Sequence, residues 1–581
     1  MPTLNWIGKE AVVNHHQQVP FHLLKDVPEL ACGNPGEGNL IVQGDNLVAL
    51  KALLPYYAGQ VKCIYIDPPY NTGNESWVYN DNVSSPLIRE WLGKVVGKEG
   101  ETLDRHDRWL CMMYPRLVLL KRFLREDGAI FVSIDDNEVT ALRMVMDEIF
   151  GKDNFVAQFV WNTEGHTDNQ FHIKINHEYV VMYAAREEKL RLGYVVDTNT
   201  REGSNLWAGF AENSITKNGP ANPPSEIQLP VGFPTEPSTL DLPASDIPVD
   251  LIATMQEGGL SSNQLKAKFG RIQFPIRFDP MRAVNNRLTE SCRVFSGWAN
   301  ANKLRSFIAG GCVPQMDEDD MSVRFYLSGN GVIYYRKDRG ERARNIVSVL
   351  RNLSTTEKMR SELEAMNLQF RYPKPKELIK YILKVGSQNG DLVLDSFAGS
   401  GTTAQAVLEL NAEGTNRKFI LVELEQNIAR EITSSRARKV AEGYTKPDGT
   451  EIDGLGGGFR YCELGEPLFD EHGKIRDSVR FADLARHVYF TETGEPLPRE
   501  RVSKSALLGD CRGVGIYLLY NGILGDKSAN GGNVLTRAVL AQLPPFDGPK
   551  VIYCAGCLLG RDRLRAENII VRQTPYEIKV S

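Results

Sequence analysis

The chain has 581 residues, 42% of them hydrophobic and 24% charged, and its formal net charge is −5. This length is too great for one hydrophobic core and predicts about three or four domains, while the acidic balance excludes a nucleic-acid binder that relies on overall attraction rather than on a locally basic cleft. Because the nine cysteines follow no disulfide framework, and because no secretory leader pattern or run of about 18 apolar residues occurs, we expect reduced thiols, no membrane span and a cytoplasmic protein.

The first predicted elements alternate between strands and helices. Residues 1–35 show little periodicity and are assigned to an N-terminal arm. In the next segment, 36–189, the predicted strands are 39–42, 61–66, 129–134, 155–161 and 179–183, and the predicted helices are 46–54, 110–125 and 137–150. This alternation predicts an α/β domain with a mainly parallel sheet.

A proline-rich stretch interrupts the pattern. Residues 217–248 hold eight prolines, which exclude a central strand or a long helix there, so we assign 190–365 to an insertion. The alternation resumes in 366–444, with predicted strands at 391–395 and 418–423. The predicted helices are one that opens within 373–378 and runs to about 385, one at 402–410, and one that continues from the second strand to about 442. A Gly-rich linker, 445–458, then leads to a small mixed or β-rich C-terminal domain, 459–581.

A glycine turn follows the strand at 391–395. It reads Asp395-Ser-Phe-Ala-Gly-Ser-Gly-Thr402, and Gly399 and Gly401 would permit a tight turn that approaches a ligand closely. The turn lacks the lysine of a phosphate-binding loop, and Glu423 ends the next strand, where an acid can bind ribose hydroxyls. A purely structural turn is the alternative. The functional interpretation is a nucleoside cofactor bound without dependence on phosphate, which fits S-adenosylmethionine better than NAD.

A second motif, Asp67-Pro68-Pro69-Tyr70, follows the strand at 61–66. The prolines stiffen the backbone, so the Asp67 carboxylate and a neighbouring carbonyl could each accept one hydrogen from a flat –NH2 group. Two acceptors favour a pyramidal nitrogen whose lone pair can attack a methyl sulfonium in line, and Tyr70 offers a face for stacking an extruded base. The alternative is a turn in which Asp67 caps a backbone group.

Together, the two motifs resemble the signature of amino-methyltransferases that act on DNA. Their order, with the catalytic motif first and a large insertion between them, is similar to the β group of these enzymes. Gln43-Gly-Asp-Asn-Leu-Val-Ala-Leu50 and Ile64-Tyr-Ile-Asp-Pro-Pro-Tyr-Asn-Thr-Gly73 look especially like modification subunits of type III restriction systems. The resemblance implies an α/β fold. That fold is a circularly permuted Rossmann-like S-adenosylmethionine-dependent methyltransferase sheet with an inserted target-recognition domain and a small C-terminal domain.

The resemblance also implies roles for individual residues. Asp67 and the Pro68 carbonyl would polarise the target nitrogen, Pro69 would complete the rigid turn, and Tyr70 would stack on the base. The implied cofactor-binding residues are Asp45, Lys374, Pro375, Asp395, Phe397, Gly399, Gly401, Thr402 and Glu423. An Asp as first residue of the catalytic motif usually accompanies adenine in this family, whereas the chemical argument leaves cytosine open.

The segment from Gly331 to Arg360 is locally basic, with eight cationic and three acidic residues. Its predicted DNA-contacting residues are Arg336, Lys337, Arg339, Arg342 and Arg344. A solvated loop is the alternative. His166, His172 and His177, like the single Cys554-Ala-Gly-Cys557 motif, lack the full ligand set of a metal site, and methyl transfer from a sulfonium requires no metal.

The leading hypothesis is methylation of adenine N6 in a specific double-stranded DNA sequence. Three alternatives stay open: a cytosine-N4 methyltransferase, a non-catalytic DNA-recognition subunit that serves a separate helicase-nuclease, and an NAD-dependent oxidoreductase, which the Asp-Pro-Pro-Tyr turn disfavours. The resemblance alone suggests a homodimer and a separate restriction subunit as partner, and it specifies the expected cytoplasm as that of a prokaryote.

Overall fold

The computed structural model describes residues 3–72, 105–163, 175–193, 195–201, 203–205, 209–317, 321–338, 346–497, 505–526, 528 and 531–574. The chain forms two compact units, one made of residues 1–193 and 347–581 and the other of residues 194–346. Residues 347–365, which the sequence assigns to the insertion, therefore cluster with the first unit.

The first unit is built around a ten-stranded sheet. In spatial order its strands are His22–Asp26, Arg460–Pro467, Leu40–Gln43, Lys418–Glu423, Leu392–Asp395, Val61–Ile66, Leu124–Ile134, His177–Ala184, Phe155–Asn162 and Val349–Leu350. The six strands from Arg460–Pro467 to Leu124–Ile134 are all parallel to one another. The prediction of a mainly parallel α/β sheet is thus confirmed.

Helices cover both faces of this sheet. Ile64 and Ile66 belong to the core that contains helices Asn46–Tyr57, Arg105–Phe123 and Val139–Phe150. Cys63 points the other way and lies beside Gly386, at the end of helix Lys376–Gly386. That helix packs against Thr402–Ala412, which in turn packs against Ser434–Glu442. Burial on both faces explains why the central strands are continuous apolar runs rather than alternating ones.

The two motifs follow neighbouring strands, Leu392–Asp395 and Val61–Ile66. Helix Thr402–Ala412, which follows strand Leu392–Asp395, lies on one face of the sheet, and helix Arg105–Phe123, which follows strand Val61–Ile66, lies on the other. A crevice opens at such a switch point, outside the carboxyl ends of the strands, and this is where open α/β sheets bind ligands.

Several elements differ from the prediction. Helix Arg105–Phe123 ends earlier than expected because Leu124 already pairs with Val61 in the sheet. A π-helical turn, Ile428–Thr433, precedes helix Ser434–Glu442. The N-terminal arm contains short helices Lys9–Val12 and His15–Gln18 and the edge strand His22–Asp26, which pairs with Arg460–Pro467. The sequence places Arg460–Pro467 in a separate C-terminal domain. Its actual partners, His22–Asp26 and Leu40–Gln43, lie more than 400 residues earlier in the chain, and local sequence patterns do not reveal such a pairing.

The first unit contains one further helix before Lys376–Gly386, and its other remaining elements lie in the C-terminal part of the chain. They are helix Thr356–Ala365, the hairpin Gly443–Thr445 and Glu451–Asp453, helix Phe481–Thr493, the four-stranded sheet Leu507–Cys511, Val514–Leu518, Lys550–Cys554 and Ile569–Gln573, the pair Val534–Leu535 and Gly556–Cys557, and helices Arg537–Gln542 and Arg561–Ala566. This mixture of strands and helices agrees with the character predicted for the C-terminal region.

The second unit has its own apolar core, which includes Phe233, Met281 and Phe307. Three small antiparallel sheets surround it: Ile276–Arg277, Cys292–Gly297 and Pro224–Leu229; Arg287–Leu288, Met281–Val284 and Thr239–Leu242; and Gln315–Met316, Ser322–Leu327, Ile333–Asp338 and Phe210–Ser214. Its helices are Leu251–Glu257, Ser262–Phe269 and Ala301–Ala309. Within the proline-rich stretch, Pro224–Leu229 occupies a sheet edge, where the missing N–H of proline is tolerated. Among the described residues of both units, no helix is both long and apolar enough to cross a membrane.

Candidate active site

The Asp67–Tyr70 turn is held rigidly at the carboxyl end of strand Val61–Ile66. The buried Trp109 indole N–H donates to the Pro69 carbonyl at 2.7 Å. Asn71 adopts a left-handed conformation (φ 59°), and its side-chain amide donates to the Arg105 carbonyl at 3.2 Å and to the Glu138 carboxylate. These contacts pin the backbone from behind, so the side chains of the turn are fixed relative to the sheet.

In front of the turn, two carboxylates and one ammonium form a compact cluster. Lys374 Nζ lies 2.9 Å from Asp67 Oδ2 and 3.4 Å from Glu178 Oε2. The Tyr70 hydroxyl donates to the same Glu178 oxygen at 2.9 Å, and Lys374 Nζ lies 4.7 Å from the centre of the Tyr70 ring. Burial, reinforced by Asp67 and Glu178, raises the pKa of Tyr70 well above its ordinary value, so this hydroxyl stays protonated and acts as a donor.

The other oxygen of Asp67 is in a different situation. Oδ1 is buried and has no hydrogen-bond partner among the residues that the structure describes. A buried oxygen without a partner is unfavourable unless a ligand supplies a donor. Asp67 Oδ1 is therefore positioned to accept a hydrogen bond from a ligand in the cavity.

Two carboxylates, Asp395 and Glu423, stabilise the glycine turn by accepting hydrogen bonds from it. Asp395, only 2% exposed, accepts from the Phe397 backbone N–H at 3.0 Å and from the Thr403 hydroxyl at 2.6 Å. Burial raises the pKa of Asp395 to about 7, against the effect of these two hydrogen bonds. Glu423 accepts the backbone N–H of Gly399 at 2.8 Å through one oxygen and that of Glu425 at 2.9 Å through the other.

The turn also requires glycine at its closing positions. Gly399 (φ 51°) and Gly401 (φ 76°) are both left-handed, and a Cβ at Gly401 would lie 3.1 Å from the Thr433 backbone oxygen. The hydroxyl of Thr402, the next residue, donates to the Lys374 backbone oxygen at 3.2 Å. The glycine turn is thereby tied to the segment that carries the Lys374 ammonium.

Asp45 and Asn46 join the two parts of the sheet. Asp45 Oδ1 caps helix Asn46–Tyr57 by accepting the backbone N–H groups of Leu47 at 2.9 Å and Val48 at 3.1 Å, and its other oxygen pairs with the buried Arg116 at 3.0 Å. The Asn46 amide donates to the Ser396 carbonyl at 3.1 Å, beside the glycine turn.

One cavity of about 650 Å³ connects the two motifs. The predicted site residues that line it are Asp67, Pro68, Pro69, Tyr70, Lys374, Asp395, Phe397, Gly399 and Thr402. A smaller recess beside it is lined by Asn46, Pro69, Phe397 and Glu423. Of the other predicted residues, Gly401 lies within the turn and Pro375 precedes helix Lys376–Gly386 as its N-cap. The structure thus brings both motifs to one crevice.

The charged groups that line the crevice indicate which cofactor would fit there. Asp67, Glu178 and Asp395 line the cavity beside the Lys374 ammonium, and Glu423 lines the recess beside Arg116, whose guanidinium is already paired with Asp45. Carboxylates therefore outnumber cations near the two motifs. Carboxylates repel a phosphate and attract a sulfonium cation. The residues therefore fit S-adenosylmethionine better than a dinucleotide.

An aromatic residue between two arginines forms the outer wall of the cavity. Tyr372 is 39% exposed, and the guanidinium groups of Arg360 and Arg371 lie 5.9 Å and 5.4 Å from its ring centre. Arg360 also donates to the Arg371 carbonyl at 2.8 Å, which fixes it at this position. The sequence included Arg360 in its basic segment but singled out none of these three residues.

The predicted DNA-contacting residues are only partly described. Arg336 lies on strand Ile333–Asp338, donates to Asp338 at 2.9 Å and lies 3.4 Å above the Phe210 ring, whereas Lys337 is paired with Asp317. Within the second unit, both charges are thus partly neutralised. Arg339, Arg342 and Arg344 lie outside the described residues, as do His166 and His172.

No metal-binding group of His, Cys, Asp and Glu occurs among the residues that the structure describes. His177 lines the main cavity, where its Nε2 lies 2.9 Å from the Tyr179 hydroxyl. Cys554 is buried, and Cys557 is half-buried.

Glu178 and Trp109 were missed as site residues. Glu178 stands directly before the apolar run at 179–183, and a polar residue there marks a strand end. Because strand His177–Ala184 is antiparallel to its neighbours, its beginning lies at the edge where the other strands end. Placing Glu178 in the site requires knowing that strand His177–Ala184 is antiparallel to its neighbours, and local periodicity does not reveal the direction of a strand.

Known proteins resemble the chain over most of its length. A family model described as DNA methylase, for N6 and N4 methyltransferases, matches residues 61–434. The EcoPI Mod subunit of a type III restriction-modification enzyme, from Escherichia phage P1, is 28% identical over 84% of this chain and 74% of its own length. The EcoP15I Mod subunit from Escherichia coli is 28% identical over 73% of this chain and 64% of its own length.

A third relative is the StyLTI Mod subunit from Salmonella typhimurium, which is 30% identical over 70% of this chain and 55% of its own length. The matches thus span between about half and three quarters of the length of these relatives. Among solved structures, the cytosine-N4-specific PvuII DNA methyltransferase aligns over 70% of this chain and 90% of its own, at 12% identity and a TM-score of 0.29.

The resemblance inferred from the two motifs is confirmed, including the likeness to type III modification subunits. The matched region contains both the Asp67–Tyr70 turn and the glycine turn, and it covers more than half of the chain. The chain therefore belongs to the DNA methylase family of N6 and N4 methyltransferases.

Proposed function

We propose that this chain transfers a methyl group from S-adenosylmethionine to N6 of adenine in double-stranded DNA, as the modification component of a restriction-modification system. The observation that carries the proposal is the buried Asp67 Oδ1, an acceptor without a described partner, in a cavity that also contains the glycine turn. The circular permutation of the sheet is part of the same proposal, and the strand order and the position of the motifs support it.

The catalytic chemistry follows from the Asp67–Tyr70 turn. Asp67 Oδ1 and the Pro68 carbonyl would each accept one hydrogen of the target amine, which frees its lone pair for attack, and the Tyr70 ring would stack on the extruded base. When bound, S-adenosylmethionine supplies the methyl group, whose bond to sulfur breaks as the bond to nitrogen forms. The product nitrogen then carries one surplus proton, which Asp67, as the carboxylate that accepts the amine's hydrogen bond, would take up.

The glycine turn would hold the cofactor. Gly399, Gly401 and Phe397 shape its backbone, and Glu423, whose carboxylate already accepts the Gly399 N–H, would hold the ribose as the family resemblance implies. Thr402 begins helix Thr402–Ala412, whose N-terminus suits the cofactor's carboxylate. Lys374 and Pro375, Asp45 and Asp395 would support this site. Because Asp395 bonds to its own turn and Asp45 caps a helix, we assign to both a structural role at the site's edge.

The choice of adenine rests on the family regularity for an Asp-first motif and on the likeness to Mod subunits. Cytosine N4 is the second candidate because the matching family model covers N4 as well as N6 methyltransferases. Asp67 can accept a hydrogen from either amine, so the identity of the base must be measured.

Double-stranded DNA is the proposed substrate, with Arg336, Lys337, Arg339, Arg342 and Arg344 as phosphate contacts of the inserted unit. A separate restriction subunit, a homodimer and a location in the bacterial cytoplasm are further parts of the proposal. The type III Mod relatives support the restriction partner. The alternative of a non-catalytic recognition subunit is disfavoured because both motifs are intact.

The test incubates the purified protein with methyl-labelled S-adenosylmethionine and unmethylated genomic DNA, followed by mass spectrometry of the digested nucleosides. N6-methyladenine is the expected product. N4-methylcytosine would transfer the proposal to the second candidate. Absence of both products, with cofactor binding demonstrated by calorimetry, would contradict a methyltransferase and favour the recognition subunit.

A further inference from the structure

Glu178 is a cavity-lining carboxylate that contacts both Tyr70, the proposed stacking residue, and the Lys374 ammonium. It belongs to strand His177–Ala184, whereas Tyr70 and Lys374 come from two other segments. The family motifs that predict the site do not include it. Its position between three segments makes it a candidate for arranging them.

The first contact concerns Tyr70. The phenol donates to Glu178 Oε2 at 2.9 Å, and the tyrosine is only 8% exposed. A hydrogen bond at the far end of the side chain fixes the rotation of the ring about its bond to Cβ. A stacking platform works only in one ring orientation, so Glu178 sets the plane on which the base would lie.

The second contact concerns Lys374. Its ammonium is shared between Asp67 at 2.9 Å and Glu178 at 3.4 Å, and its side chain is 12% exposed. Without the attraction of Glu178, the ammonium would bind Asp67 more closely and compete with the target amine. A second carboxylate on the opposite side divides the attraction and keeps Asp67 available as an acceptor.

We propose that Glu178 is a positioning residue for methyl transfer, which orients the Tyr70 ring through its hydroxyl and holds Lys374 so that Asp67 can accept from the target amine. Glu178 itself contacts neither the reacting nitrogen nor the methyl group. The inference rests on the proposed function, since it assigns the base to the Tyr70 face of the cavity.

The neighbouring residue supplies a matched control. Tyr179 donates to Asp136 at 2.8 Å, which gives a second tyrosine–carboxylate pair one position further along the same strand. Asp136 is about half exposed, and it is not one of the described residues that line the cavity. Asp136→Ala therefore removes the same kind of hydrogen bond without touching the cluster.

The experiment measures kcat and the KM values for DNA and S-adenosylmethionine with Glu178→Ala, Glu178→Gln, Tyr70→Phe, the double variant Tyr70→Phe/Glu178→Ala, and Asp136→Ala. Loss of a hydrogen bond to a charged group predicts a kcat about 10- to 100-fold lower for Glu178→Ala, with both KM values within about threefold. Glu178→Gln, which keeps an acceptor for the phenol, regains part of the loss. Asp136→Ala retains wild-type kcat.

The double variant separates positioning from a general structural effect. If Glu178 acts through the phenol, removing it costs less in the Tyr70→Phe background than in the wild type. Equal losses in both backgrounds, a loss confined to KM, or wild-type kcat in Glu178→Ala would each overturn the inference and leave the proposed function standing. A wild-type protein that methylates no DNA would overturn the proposed function, and this inference with it.

Discussion

Replacing Asp67 with Asn is the most direct perturbation of the site. The substitution preserves volume but removes the charge that makes Oδ1 a strong acceptor. A hydrogen bond to a charged group contributes about 1.5–3 kcal/mol, and each 1.36 kcal/mol of barrier changes the rate tenfold. We therefore expect methyl transfer to slow by roughly 10- to 150-fold, and by more if the new amide presents its NH2 to the target.

Stability and cofactor binding should change little in Asp67→Asn. Lys374 keeps Glu178 at 3.4 Å as counterion, so its mostly buried ammonium is not left unpaired, and we expect a loss of stability on the order of 1 kcal/mol. The assay is single-turnover transfer of labelled methyl groups, accompanied by calorimetry of cofactor binding. Gly401→Ala is the complementary variant, since its Cβ would lie 3.1 Å from a backbone oxygen at φ 76°, and it should lose cofactor affinity first.

Two results would refute this division of roles. Methyl transfer by Asp67→Asn within about threefold of the wild-type rate would mean that the charge of Asp67 does not activate the amine. Loss of cofactor binding in Asp67→Asn equal to that in Gly401→Ala would mean that the catalytic turn is instead part of the cofactor site.

Three further variants test other contacts. Trp109→Phe removes the donor to the Pro69 carbonyl and should lower the free energy of unfolding in urea by about 1–3 kcal/mol; an unchanged midpoint would contradict a pinned turn. The pKa of Asp395 is raised to about 7 from an ordinary 3.8, so the folded state binds its proton more tightly, and stability falls as the pH rises from about 4 to 7. Asp395→Asn should flatten this decline in urea unfolding at pH 5 and pH 7.5, and an equal slope in both proteins would contradict the assignment. Arg360→Ala should reduce the slope of log affinity for DNA against log salt by about 1, whereas exposed Lys358→Ala should not; identical slopes would exclude a phosphate contact at the outer wall.

The sequence predicted the central sheet because buried parallel strands are continuous apolar runs with a regular spacing of helices. It also predicted that the two motifs meet, since the carboxyl ends of parallel strands share one edge. These predictions required only local patterns and a general rule of α/β topology. The parallel strands Leu40–Gln43, Lys418–Glu423, Leu392–Asp395 and Val61–Ile66 follow these patterns.

The sequence did not predict contacts that depend on distant partners. Strands His22–Asp26 and Arg460–Pro467 come from opposite ends of the chain and pair with each other. Glu178 enters the site only because its strand runs against its neighbours. The contact of the Lys374 ammonium with Asp67 is likewise set by the whole fold rather than by the segment that carries Lys374.

The interleaved strand order links the site to the integrity of the fold. Strands Lys418–Glu423 and Leu392–Asp395 lie between Leu40–Gln43 and Val61–Ile66, so these two earlier strands have no direct contact in the sheet. The strands before the insertion therefore cannot be joined into one sheet until the two strands after the insertion have been placed between them. The chain must first close the long loop formed by the insertion, which has an entropic cost. Since the same late strands carry the glycine turn and Glu423, the cofactor site and the final closure of the sheet form together. A cofactor that binds only the closed sheet should then stabilise the entire first unit rather than the glycine turn alone.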